Sequence, residues 1–400
     1  MMTVYTRQKY LDKILPFVDK PLIKVLTGQR RVGKSYLLLQ IIEYIKTHHS
    51  DYNIIHIDKE STEFDFIKNY TDLDFYVKSQ SKGTKNYVFI DEIQEIKDFQ
   101  LSIRSFLLQS GYDIYCTGSN AYTLSGDLAT TLSGRFIEIR VHSLSYLEYL
   151  DFFGLKKTQE TLNRFLKYGG MPFLIHLPDN EKIIYDYLKS IYTTIFFKDI
   201  VTRYQIKNAN FLTDLTRFIA ENCGSIFSAS KISRYLKSQQ IKTSTEMIIN
   251  YLSYLESAFF IHRVKRTDIQ GKKHFEIGEK LYFDDLGLRH AVIGYRTSDI
   301  GKIIENAVYL HLIIQEWEVT VGFSNTKEID FVADKNGERI YIQVAYMLQN
   351  QDTIDREFNN LLEISDNYRK MVVTMDNLYS GASYKGIEHK NLIDFLTETL

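Results

Sequence analysis

Cysteine is nearly missing from this chain. Cys116 and Cys223 are the only two in 400 residues, too few for a disulfide framework and without the paired spacing of a zinc site. A reducing cytoplasm fits that usage. Proline is down to 4 residues, and there is no low-complexity tract or fixed-period repeat, so domains are expected to abut through short connections. No stretch of 18 residues runs without a polar interruption, and no apolar run follows Arg7 and Lys9 near the N-terminus. Neither a membrane-spanning helix nor a signal peptide is therefore expected. Net charge is close to absent as well, at -1, so any nucleic-acid or membrane role has to come from local asymmetry. What is present is length and a 44% hydrophobic content, enough for roughly two to four domains. The 29 Tyr and 25 Phe read as compositional bias and carry no functional weight.

Along the chain, Leu22 to Leu26 reads as a short apolar strand, Ser35 to Thr47 as a helix and Asn53 to Ile57 as a second strand. That is a β-α-β unit. Tyr87 to Ile90, Ile114 to Cys116 and Phe136 to Val141 add strands separated by enough chain for crossover helices, which predicts a parallel sheet with helices on both faces. From Leu147 to about Ile206 the period is helical, broken at Gly169-Gly170-Met171-Pro172, and reads as a small helical lid. Residues from about Phe211 give three helices and then two strand-like runs, Phe260 to Val264 and His274 to Phe283, the order of a winged helix-turn-helix. The tail opens with a helix, Ile303 to Ile314, and continues with strands near Trp317 to Val321, Ile329 to Val332 and Ile340 to Ala345. A helix near Asp355 to Ile364 and a strand Met371 to Thr374 follow, making a further small α/β domain. The expected division is 1–146, 147–206, 207–292 and 293–400.

Gly28-Gln29-Arg30-Arg31-Val32-Gly33-Lys34-Ser35 matches the P-loop pattern and lies where that pattern requires, between an apolar strand and a helix. The glycines let successive N–H groups face a phosphate, and the helix start adds its positive end. Lys34 neutralises the β and γ oxygens and Ser35 ligates magnesium, so ATP and Mg2+ are the expected ligands, with Gly28 through Tyr36 as the binding segment. Such a pattern arises by chance in a chain of this length on the order of one time in a hundred. Tyr87-Val88-Phe89-Ile90-Asp91-Glu92 is the second element, a strand delivering Asp91 to the magnesium shell and Glu92 as the base for an attacking water. The plainer alternative is an Asp-Glu helix cap. Ser119 or Asn120, at the end of Tyr115-Cys116-Thr117-Gly118-Ser119-Asn120, is placed to sense a γ-phosphate; a polar turn is the other reading. Arg135 is either an arginine finger, acting in its own subunit or a neighbour's, or a solvated arginine.

These motifs together resemble the prokaryotic AAA-type ATPases related to the archaeal-ATPase and STAND branches, whose C-terminal half is a domain of unknown function. The resemblance rests on Gly28 to Ser35 with its Arg30-Arg31 doublet, Phe89 to Glu92, Thr117-Gly118-Ser119 and Ser133-Gly134-Arg135. It continues through Gly169-Gly170-Met171-Pro172, Lys198-Asp199-Ile200, and Glu305 with Glu328-Ile329-Asp330-Phe331. It implies an ATPase core, a winged helix and a restriction-endonuclease-like C-terminal fold. In such a fold the second motif strand usually ends Glu-x-Lys, but here it reads Gln343-Val344-Ala345. Glu305, Asp330 and Gln343 are then a vestigial metal site short of one carboxylate and of the lysine, with Lys335 and Lys370 as candidates to fill that gap.

The stretch 206–274 carries eleven lysines and arginines against five acids, a net of +6. Phosphate contact by Arg263, Lys265, Arg266, Lys272 and Lys273 would explain it; a solvated face explains it equally. The leading expectation is an ATPase coupled to a C-terminal half that binds DNA or a protein, in a chain that also forms homo-oligomers. The alternatives are an ATP-regulated nuclease and a signalling switch that binds only protein.

Overall fold

The structure is a computed structural model. It describes residues 5–83, 85–120, 132, 134–269, 278–324, 327–348, 351–376, 381 and 383–400. Two compact units emerge: residues 1–142 with 257–259, and residues 143–256 with 260–400.

The first unit is built on five parallel strands, β1 (Ile23–Thr27), β2 (Asn53–Asp58), β3 (Asn86–Asp91), β4 (Tyr112–Gly118) and β5 (Phe136–Arg140), in the order β2-β3-β4-β1-β5. Strands β1 and β3 are buried along their whole length, which is why Tyr87 to Ile90 in β3 reads as an unbroken apolar run and β1 is apolar apart from Lys24 and its terminal Thr27. Helices Lys34–His48, Tyr70–Gln80 and Phe99–Leu107 make the crossovers. Asn69 and Asp72 close a capping box at the start of the second of these. Because all five strands run the same way, the loops that leave β1, β3 and β4 emerge at one end of the sheet. At the β1 and β4 N-terminal halves a buried ion pair, Lys24 with Asp113, is completed by the Tyr115 hydroxyl, which donates to Asp113 at 2.9 Å.

In the second unit, helices Tyr146–Phe153 and Gln159–Tyr168 lead to the glycine-rich turn, and Glu181–Thr194 runs into a π-helical stretch, Ile195–Thr202. The turn has a packing reason. A Cβ on Gly170 would lie 2.3 Å from the Leu144 carbonyl oxygen, and one on Gly169 would lie 2.4 Å from the Asp285 carboxylate. Asp285 in turn accepts from Gly170 N at 2.8 Å and caps helix Leu286–Ile293 through Leu288 N at 3.0 Å. Burial pushes the Asp285 carboxyl up to about 6 despite those two donors.

Helices Ala209–Glu221, Ala229–Ser238 and Thr245–Ser257 precede a hairpin of β6 (Ile261–Asp268) and β7 (Glu279–Phe283). After helix Ile300–Ile314 come β8 (Glu318–Ser324), β9 (Lys327–Lys335), β10 (Glu338–Ala345), helix Gln351–Leu362, β11 (Arg369–Thr374), β12 (Ser383–Tyr384) and β13 (Ile387–Asn391). β6 pairs in parallel with β8, so hairpin and tail share one eight-stranded sheet, ordered β12-β13-β11-β10-β9-β8-β6-β7. No described helix is long and apolar enough to cross a membrane.

Candidate nucleotide site

β1 ends at Thr27 and the chain turns at once. Gly28 has φ +144°, and a Cβ there would sit 2.1 Å from the Val141 carbonyl oxygen, so only glycine lets the loop pass. Gly33, at φ +98°, precedes helix Lys34–His48, whose first turn holds no acidic residue and whose N-cap makes no side-chain hydrogen bond. Its leading N–H groups therefore have no competing acceptor from the cap, the condition for binding an anion at a helix start. Lys34 is buried; its ammonium donates to the Gly28 and Gln29 carbonyls at 3.0 Å each and lies 3.8 Å from Glu92 Oε1.

The loop is anchored by contacts that reach beyond the motif. Arg7 Nη1 donates to Val32 O at 3.0 Å and to His142 O at 2.9 Å. Gln29 is fully buried and donates to the Phe259 carbonyl at 2.9 Å. Arg30 pairs with Glu60 at 2.7 Å, while Arg31 is exposed at φ +70° and Tyr36 is also exposed.

β4 lies between β1 and β3 in the sheet, so its end joins the acidic pair to the loop. Thr117 Oγ1 donates to Asp91 Oδ1 and accepts from Glu92 N at 2.9 Å. Ser35 also hydrogen-bonds Asp91. Glu92 takes the left-handed conformation, φ 52°, which turns its side chain back to be met by Ser119 Oγ at 2.9 Å and by Gln94 Nε2. The helix that an Asp-Glu cap would need is here a single 3-10 turn, Ile93–Glu95, to which Glu92 makes no side-chain cap bond. Burial pushes Asp91 upward, and the hydrogen bonds from Ser35 and Thr117 oppose it without prevailing. Burial pushes Glu92 upward too, but the charges of Lys34 and Arg30 and the bonds from Gln94 and Ser119 outweigh it and hold the carboxyl below the usual glutamate range. The pair is thus split into two different groups. Asn120 is fully buried at the same end. Arg135 is exposed and is not there: β1 and β5 are parallel with Ile23 opposite Phe136, which puts Arg135 at the other end of the sheet, about 20 Å from the loop by strand rise.

The donor set fits ATP with magnesium. A hydroxyl and a carboxylate already hydrogen-bonded to each other offer hard oxygen ligands, beside a lysine and an uncapped helix start. An AAA domain model matches residues 20–150, and a domain of unknown function matches residues 159–299. An uncharacterized protein of Haemophilus influenzae is 34% identical over 400 residues, covering 98% of both chains. An uncharacterized protein of Methanocaldococcus jannaschii is 32% identical over 355 residues, covering 84% of this chain and 77% of its own. The solved Walker-type ATPase of Pyrococcus abyssi superposes with a TM-score of 0.54 at 16% identity, across 72% of this chain and 96% of its own. The chain belongs to the prokaryotic AAA-type P-loop ATPases.

In this AAA-type protein the C-terminal candidates also converge, on a residue the sequence does not flag. Glu305 of helix Ile300–Ile314 and Asp330 of β9 meet the ammonium of Lys280, from β7, at 2.7 and 3.0 Å, and Glu328 meets it at 2.7 Å. Gln343 Oε1 accepts from Asp330 N at 3.4 Å, and the Gln343 side chain hydrogen-bonds Glu357. Neither lysine expected from sequence arrives. Lys370 donates to the carbonyls of Ile364 and Asp366 at 2.6 and 2.7 Å, and Lys335 stands 5.7 Å from the Trp317 ring centre. Of the basic residues assigned to the hairpin, Arg263 is ion-paired to Glu279 at 3.1 Å and to Glu256 at 3.7 Å. Arg266 lies over the Phe323 ring and Lys265 is exposed. Lys272 and Lys273 lie outside the described residues, as does Ser133.

Motif reading misses Arg7 and Lys280, and names Thr117 only as part of a motif, without its role. Thr117 had a signal, a hydroxyl at the end of a strand beside the P-loop strand. Arg7 and Lys280 had none, because only contacts distant in sequence assign them.

Proposed function

We propose that this protein binds ATP with Mg2+, hydrolyses it, and couples the nucleotide state to a C-terminal half that docks a partner. The observation that carries the reading is Glu92: buried, held anionic, and wired by Ser119 and Gln94. In that state Glu92 accepts the proton of a water attacking the γ-phosphate, while Lys34 and the N–H groups from Gly28 to Tyr36 bind and orient the phosphates. Ser35 and Asp91 hold the magnesium, which when bound neutralises phosphate charge. Ser119 and Asn120 report the γ-phosphate to β4. Arg135, at the far end of β5, serves as a finger only for a neighbouring copy, which makes a homo-oligomer part of the proposal. Residues 147–206 act as the helical lid, 207–292 as the winged helix and 293–400 as a nuclease-like module without cleavage activity, in a cytoplasmic protein. Release of phosphate from ATP should be abolished in Glu92→Gln with ATP binding retained; intact turnover in that variant would reduce Glu92 to a structural residue.

Arg263's pairing with Glu279 and Glu256 favours a protein partner over DNA, because a neutralised arginine releases few counterions from a duplex. Duplex binding at low and moderate salt, compared with the double variant Lys265→Glu and Arg266→Glu, decides between them. A steep salt dependence that collapses in the double variant restores the DNA reading.

A further inference from the structure

An alkylammonium group has three N–H donors. Lys280 donates to two carboxylates, Glu305 Oε1 at 2.7 Å and Asp330 Oδ1 at 3.0 Å, and is ion-paired with a third, Glu328 Oε1, at 2.7 Å. Glu328 and Asp330 are two apart on β9 and so point to one face of it. Two of these carboxylates take further donors. Glu305 Oε1 also accepts from the Tyr282 hydroxyl at 2.5 Å, and Asp330 Oδ2 accepts from Val344 N at 2.9 Å. Gly224, at φ +75°, closes over the cluster so tightly that a Cβ there would lie 3.1 Å from both Glu305 oxygens. Among the described residues, the three carboxylates do not group as the ligand set of a metal ion.

We infer that Lys280 is the resident cation of this cluster and stands in the place of a divalent metal, so that the C-terminal half is closed to metal-dependent phosphodiester cleavage. A Mg2+ or Mn2+ ion takes its oxygens at about 2.0–2.2 Å from the metal and needs their lone pairs free. Here those lone pairs converge on an ammonium, a longer-range cation that polarises no water. Position 345, an alanine, need not supply a lysine, because the positive charge enters from β7 instead. The cluster is then a covalently tethered, metal-independent clamp between helix Ile300–Ile314, β7 and β9. The inference stands apart from the ATPase reading, since every measurement below is made without nucleotide.

Mn2+ binding, followed by the loss of the free-ion electron paramagnetic resonance signal, tests it on the full chain. The wild type should bind no Mn2+ in a manner that depends on Asp330. Lys280→Met, which keeps an unbranched side chain one atom shorter and removes the charge, should gain one Mn2+ site at least tenfold tighter than anything in the wild type. That site should vanish in the double variant Lys280→Met with Asp330→Asn. A wild-type Mn2+ site lost in Asp330→Asn would overturn the inference and make Lys280 the partner of a metal instead of its replacement. Folded Lys280→Met with no gain in Mn2+ binding would overturn it too. Should Lys280→Met not fold, Lys280→Gln replaces it, and the wild-type comparison with Asp330→Asn retains its power to refute.

Discussion

Lys34 and Lys280 are both buried, and their surroundings are opposites. Lys34 is held by two loop carbonyls, with a single carboxylate at 3.8 Å. Neutral oxygens hold an ammonium in place without cancelling its charge, so it stays available to an anionic ligand. Lys280 faces three carboxylates within 3.0 Å, and its charge is consumed within the fold. The same residue type is therefore held with its charge uncancelled in the proposed nucleotide site and is an ion-paired cation within the fold of the other unit. What separates them is the count of acids around the nitrogen. Burial does not separate them: both side chains are almost wholly inside.

The largest effect that would break this contrast is on stability. Lys280→Met leaves buried carboxylates without their cation and should cost about 3–5 kcal/mol in urea unfolding at neutral pH. Burial alone would lower the Lys280 pKa, but Asp330, Glu305 and Glu328 raise it above its ordinary value. Its contribution is thus fully present below the unfolded lysine pKa and lost only as pH rises through the higher folded one. The deficit in the variant should shrink on acidification, as the unpaired carboxylates protonate. Next, Lys34→Ala should weaken ATP binding by roughly 100-fold in calorimetry, the loss of charge-assisted contacts to two phosphates, while leaving urea stability near wild type. If both variants behaved alike in both measurements, the distinction between the two lysines would fail.

Asp285→Ala should cost about 1–3 kcal/mol, because Gly170 N and Leu288 N lose their shared acceptor. Its sign with pH is the reverse of a paired acid. With a folded pKa of about 6, above the unfolded value, burying the ionised carboxyl costs stability at pH above 6. Wild-type stability at this site should then rise as pH falls from about 6 toward the ordinary aspartate range, a slope the alanine variant lacks. The smallest effect sharpens the role of Glu92. As the proposed base with a depressed pKa, it should be ionised throughout the neutral range, and the acid limb of the ATPase profile should fall below the ordinary glutamate value. Ser119→Ala removes one bond to the carboxylate and should move that limb upward, with a rate loss of roughly tenfold or less.

The ATPase core was legible because its information is local. A run such as Tyr87 to Ile90 is apolar throughout only because a parallel strand is covered on both faces, and Gly28 and Gly33 mark a turn that other residues cannot make. Arg135 shows the limit. Its neighbours in sequence are compatible with a finger in its own subunit, yet the pairing of Ile23 with Phe136 sends it to the opposite end of the sheet. The turn Gly169-Gly170 was legible as a break but not as a seat for Asp285, which lies 115 residues away.

Contiguous segments thus fixed the proposed phosphate site: a strand, eight loop residues and a helix start come together wherever that chain segment folds, since the backbone itself supplies the donors. Tertiary structure alone decided the rest. It chose Thr117 to link Asp91 with Glu92, Arg7 to hold Val32, and Lys280, from a strand at the edge of the eight-stranded sheet, to meet acids 25, 48 and 50 residues onward. A charge brought in by strand pairing leaves no local pattern, because the partners' order along the chain does not constrain how close the sheet brings them.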